Sequence, residues 1–270
     1  MMRVMVSRRL ARVLQAALSL VAALAFAGCS GPAGPLKGRA SDEWTRTYTL
    51  QDGGEFQVVG AVGTIEVQGG DGPTVEVKAE RIGRSATDEG AKPIPARVRL
   101  VEEVSPEKVV IRNDGLGGVQ IGVEVEVNFH VTVPRGTKLR LRTAGGDITV
   151  SGVTGTVVAS TTNGAITGSG LSGGIEARST NGNITIGLTA VSMNPVELRA
   201  TNGAIALTLP PTADANIDAS CTNGSIEVQG LALERTGEQS ERRTRGRLNA
   251  GGAPVQLSST NGSIRISAAP

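Results

Sequence analysis

The chain has 270 residues, with 27 Lys and Arg against 25 Asp and Glu, a single His, two Cys and only 2% aromatic residues. One His and two Cys exclude a His-rich metal site and a disulfide framework, and the near-balanced charge gives no ground for nucleic-acid binding. No metal, cofactor or nucleic acid is therefore expected.

In chain order, the first element is an export signal. Arg3, Arg8, Arg9 and Arg12 precede an apolar stretch from Val13 to Phe26, too short and too close to the N-terminus for a membrane span. Phe26-Ala27-Gly28-Cys29 is similar to the bacterial lipobox, with Phe where Leu is commoner. That resemblance implies that residues 1–28 are removed, that Cys29 is diacylated, and that more than one acyl chain holds the protein to a membrane. Ser30 in place of Asp after the Cys implies, by the same resemblance, the outer membrane of a Gram-negative cell. Four basic residues leave with the signal, so 23 remain against 25 acidic ones and the mature chain carries about −2. Residues 29–43, rich in Gly, Pro and Ser, read as a flexible tether.

Residues 44–135 alternate in short apolar runs, among them Phe56-Gln57-Val58, Thr64-Ile65-Glu66-Val67, Val75-Glu76-Val77, Val98-Arg99-Leu100 and Val109-Val110-Ile111. From Gly122 to Val133, Val123, Val125, Val127, Phe129, Val131 and Val133 share one parity. Period-two alternation bounded by Gly and Pro predicts strands, here an N-terminal β cap. Arg81 to Pro95 and Ser105 to Lys108 read as polar loops, and no helix is expected in the mature chain.

Residues 136–270 carry a repeat. STTNGAIT, STNGNITI, ATNGAIAL, CTNGSIEV and STNGSIRI place Asn163, Asn181, Asn202, Asn223 and Asn261 at steps of 18, 21, 21 and 38 residues. TAGGDITV puts Gly145 one step upstream, and the 38-residue gap reads as two steps with a degenerate copy inside it. Alternation flanks each copy, as in Ile175, Ala177, Ser179 before the corner and Ile184, Ile186 after it. A period near 20 predicts a stacked β-solenoid of about 18–21 residues per coil, with aliphatic columns inside and an Asn amide ladder along one corner. Asn-Gly also suits a tight hairpin, so a hairpin array is the rival reading. Gly230 to Gly252 holds Glu234, Arg235, Glu238, Glu241, Arg242, Arg243, Arg245 and Arg247, which predicts an exposed excursion. The final coil around Ile264 and Ile266 is then the open end of the stack, an edge at risk of pairing with another copy.

The motif [ST]-x-N-G-x-I-x-[VI], the closing RGRLNAGGAPVQLSSTNGSIRI and the early GAVGTIEVQGGDGPTVEVKA resemble the bacterial putative adhesin family of β-strand-repeat domains, over roughly Glu55 to Ile266. The resemblance implies an all-β, right-handed β-helix-like fold on a secreted or membrane-anchored protein. It supplies no catalytic residues.

The one candidate constellation is a charge lattice. Glu176, Glu197 and Asp218 occupy equivalent positions in successive copies, and so do Arg142, Arg178 and Arg199 two residues later. Opposite columns relieve each other's repulsion and make a solvated face. Pectin-cleaving β-helices use stacked acids on such a face, but a glycan hydrolase needs one carboxyl kept protonated by burial, and interleaved Arg is the wrong setting for that. Between Gly136 and Pro270 no aromatic ring is present to stack on a sugar. His130 has the parity opposite the Val column and is expected to be exposed, Trp44 and Tyr48 to cap the first coil, and Cys221 to be a buried thiol in a small-residue slot. The expected role is a non-enzymatic, lipid-anchored envelope module, adhesin-like or scaffold, held to the membrane by its N-terminal lipid and facing an unidentified envelope protein or polymer. The alternatives are a polysaccharide-active β-helix enzyme and an envelope-stress or signalling accessory.

Overall fold

The computed structural model describes residues 36–60, 62–117, 121–237 and 240–270. The expected signal and Cys29 lie outside the described residues.

The strands before and after each Asn-Gly do not fold back on one another. They enter two different sheets, one of ten strands and one of eleven, and each pairs in parallel with its equivalents in neighbouring repeats. Parallel pairing of successive copies is what a coil produces and a hairpin cannot. Eight coils stack in this spatial order: Lys108–Asn113 with Val123–Pro134; Glu55–Val59 with Ile65–Gly70; Lys138–Gly145 with Ile148–Ser151; Val157–Asn163 with Ile166–Leu171; Ile175–Asn181 with Ile184–Leu188; Val196–Asn202 with Ile205–Leu209; Ala253–Asn261 with Ile264–Ala268; and Ala215–Asn223 with Ile226–Gln229. They are numbered coils 1 to 8 below.

Side chains of one parity fill the space between the sheets. In one sheet Phe129, Ile65, Ile148, Ile166, Ile184, Ile205, Ile264 and Ile226 form a single file in register. Opposite them run Phe56, Leu139, Val157, Ile175, Val196, Val255 and Ile217. Both files belong to one continuous core, with Ile226 of the terminal coil half-buried against it.

Spatial order departs from chain order at both ends. Coil 2 precedes coil 1 in the sequence yet lies inside it, and coil 7 follows coil 8 yet is inserted between coils 6 and 8. This overturns two expectations. The 38-residue gap hides no degenerate copy, because Asn261 lies directly between Asn202 and Asn223. The final coil is not the open end either: Ile264 and Ile266 are 0% and 1% exposed. The intervening segment forms Leu233–Arg235 and Arg243–Leu248, and the latter runs antiparallel on Ala215–Asn223 with Thr244 and Leu248 buried. Arg243, Arg245 and Arg247 occupy the outward parity of that cap strand.

The N-terminal end is also closed by antiparallel strands. Gly38–Thr49 pairs with Thr74–Ser85, and Leu100–Val104 with Lys108–Asn113. Strand structure therefore begins inside the stretch expected to be tether, and Arg81–Ser85 is strand rather than loop. Tyr48 is buried with its hydroxyl donating to Glu102 Oε2 at 2.7 Å, which ties the edge of one sheet to the edge of the other. The expectation of no helix is corrected as well: Asp88–Ala91 and Ile94–Arg97 are single helical turns. Thr87 Oγ1 caps the first by accepting from Gly90 N at 3.1 Å, and Ile94 is buried. Four residues are too few to show a helical period.

Candidate functional site: the Asn-Gly corner and the face beside it

At the corner the Asn side chains bond one to the next. Asn181 Nδ2 donates to Asn163 Oδ1 at 2.8 Å, Asn202 to Asn181 at 2.8 Å, Asn261 to Asn202 at 2.7 Å, and Asn223 to Asn261 at 2.8 Å. Coil 3 has Gly145 in this place, so the ladder starts at Asn163. The following Gly carries the backbone ladder round the bend, as in Gly164 N to Asn181 O at 2.9 Å and Gly203 N to Asn261 O at 2.9 Å. The backbones approach so closely there that a Cβ on Gly203 would stand 2.1 Å from Gly182 O. Close approach is what requires Gly at position 203, and at Gly182, Gly224 and Gly262 a positive φ of 154°, 153° and 159° adds to it.

Two residues before each Asn lies a buried slot for a small side chain. Thr143, Thr161, Ser179 and Ser259 each donate a hydroxyl to the Gly carbonyl of the adjoining coil, at 3.2, 3.1, 2.9 and 2.9 Å. Ala200 and Cys221 fill the same slot without that hydroxyl. Burial pushes the Cys221 thiol above its ordinary pKa, the direction expected of an inert thiol. The Thr before each Asn (Thr162, Thr180, Thr201, Thr260 and Thr222) faces outward in coils 4 to 8.

Beside this ridge lies the charged face. Glu176 and Glu197 are cross-strand neighbours, as are Arg178 and Arg199. Arg178 bridges both acids, pairing with Glu176 and with Glu197 at 2.6 Å, and Arg199 reaches Glu197 at 2.6 Å. The lattice is shorter than expected. Asp218 is separated from Glu197 by Gln256, because coil 7 is inserted there, and it pairs with Arg245 at 2.9 Å instead. Arg142 is separated from Arg178 by Ser160, because coil 4 carries no charge in this file. Arg142, Ser160, Thr162, Arg178, Thr180 and Arg199 line one shallow depression. The outward Thr file and Ser160 were visible in the repeat alignment, but exposed hydroxyls carry no sequence signal of their own. His130 lies far from this face, exposed, with Nδ1 3.0 Å from Glu66 Oε2.

A parallel solenoid with stacked Asn-Gly corners is matched by the family model described as Toastrack DUF4097 over residues 116–267. The chain belongs to the Toastrack DUF4097 family. Among solved structures, this Toastrack chain resembles a putative cell adhesion protein from Clostridium sporogenes at 11% identity and a TM-score of 0.53, covering 85% of this chain and 100% of that one. A putative adhesin from Bacteroides fragilis matches at 12% identity over 84% of this chain and 97% of the other, with a TM-score of 0.32. At such identity the first likeness concerns the fold, and the second overlays too loosely to add to it. No curated protein matches the Toastrack chain. Among the described residues no helix is long and apolar enough to cross a membrane.

Proposed function

We propose that the chain is a lipid-anchored, non-enzymatic envelope module, adhesin-like or scaffold, which offers the Asn-Gly corner and the face beside it to another envelope protein or polymer. The observation that carries this reading is the amide ladder from Asn163 to Asn223, flanked by an outward Thr in each of the same five coils. Such a ridge repeats one small contact about every 4.8 Å, so affinity grows by repetition rather than through a deep pocket. The Clostridium sporogenes protein that shares the fold is named a putative cell adhesion protein, which agrees with a surface role. The acids that stack on this face, Glu176 and Glu197, are both ion-paired with Arg178.

A photo-crosslinking residue at Thr180, on the ridge, tests this in intact cells against one at Glu89, on the first cap helix. The expected result is capture of an envelope component from Thr180 alone. Equal capture from both positions, or none from Thr180, overturns the reading. Cys29→Ser tests the anchor: the protein should leave the membrane fraction, and retention there removes lipidation at this residue.

A further inference from the structure

We propose that the notch over Ser160 holds one phosphate group of a linear, phosphate-bearing polymer that runs along the solenoid axis; this names the partner chemistry of the face just described and rests on that reading. Each of coils 5 and 6 carries a Glu and an Arg on this face, and the acids neutralise the guanidinium groups around them. Coil 4 carries Val158 and Ser160 instead. The interruption leaves Arg142 facing Arg178 across one rung, about 9.6 Å apart along the stack, with the Ser160 side chain between them. Among the described residues Arg142 meets no carboxylate; its cross-strand neighbours are Val59 and Ser160. Arg142, Arg178 and Arg199 stand against Glu176 and Glu197, so the depression keeps one positive charge in excess although the mature chain is net negative.

The shape selects among anions. Arg142 and Arg178 line the depression from the strands on either side of Ser160, and Ser160 and Thr162 add hydroxyls to its lining. A tetrahedral phosphate has oxygens for all of these groups, whereas a planar carboxylate presents two in one plane. The depression is open at the surface and continues past Thr180 and Thr201, so a chain can pass through it.

The test is titration of the full chain with long-chain polyphosphate, with polyglutamate and dextran as comparators. Polyphosphate should bind about tenfold more tightly than polyglutamate of similar length, and less tightly as salt rises. Ser160→Glu, which places a carboxylate between the two Arg, and Arg142→Ala should each weaken binding about tenfold with the melting temperature unchanged. Arg97→Ala, at the end of the second cap helix, should bind as the parent does. Equal affinity for polyglutamate, unchanged binding in both Ser160→Glu and Arg142→Ala, or no polyphosphate binding at all each overturns the notch. Retention of the protein on isolated envelope fragments is read alongside. Retention without polyphosphate binding sinks the notch alone, and loss of both sinks the surface-module reading too.

Discussion

The side-chain amide of Asn261 donates to Asn202 across 2.7 Å, although Asn223 lies between them in the sequence. The last coil is thus a wedge, bonded by parallel ladders on both sides. Its amides should exchange with solvent as slowly as those of the central coils, because they open only with the stack. Val228, in the terminal strand, should exchange faster. Hydrogen exchange read by NMR or mass spectrometry checks this, and an Ile264 amide exchanging faster than that of Val228 contradicts the order of coils.

Asn202 makes two ladder bonds and Asn223 makes one. At about 1 kcal/mol for each net hydrogen bond, Asn202→Ala should cost about 2 kcal/mol and Asn223→Ala about half of that. Asn202→Asp should cost at least as much as the alanine, since a carboxylate cannot donate to Asn181. Urea unfolding measures all three, and equal costs for Asn202→Ala and Asn223→Ala show that the ladder bonds contribute nothing separable.

Ala200 occupies the slot where Ser179 and Ser259 donate to a Gly carbonyl at 2.9 Å. Ala200→Ser should supply the missing bond to Gly182 and stabilise by about 0.5–1 kcal/mol, while Ser179→Ala should cost about 1 kcal/mol. Thermal unfolding of the pair decides it. A destabilised Ala200→Ser shows that the slot at coil 6 has closed around the methyl group.

Arg135 Nε donates to Asp71 Oδ1 at 2.8 Å, and this hydrogen bond holds the Asp71 carboxyl below its ordinary range. The hydrogen bond from Lys78 does the same for Glu43, at 2.6 Å. A depressed carboxyl adds stability above its unfolded pKa of about 4 and loses it as pH falls through the lower folded value. Both pairs lie at the surface, so the effect on stability is small and the titration itself is the better readout. Arg135→Ala should move the Asp71 midpoint upward and leave that of Glu43 in place, as followed by carbon NMR of the carboxyl groups. A fixed Asp71 midpoint rules out Arg135 as the cause.

The repeat was legible because its requirements are local. Ile184 and Ile186 announce a strand by parity, and Asn181-Gly182 announces a corner by composition. The two cap helices were not legible: Asp88–Ala91 and Ile94–Arg97 are single turns held by Thr87 and by burial of Ile94, and neither shows in a pattern. The Ser160 notch depends on which residues become neighbours across strands, Arg142 on one side and Arg178 on the other, and reading charged positions alone passes over an uncharged rung.

By itself the sequence determined what one coil is: two short strands, an aliphatic interior and a corner narrow enough to demand Gly. Only the tertiary structure decided the order in which the coils stack. Each of coils 4 to 8 offers the same backbone edge and the same Asn, so Asn202 can be bonded as well by Asn261 as by Asn223. What separates the outcomes is remote: the cap strand Arg243–Leu248 covers the outer edge of Ala215–Asn223, and the chain crosses beneath it, held by Asn249 and Asn216, to enter on the inner side.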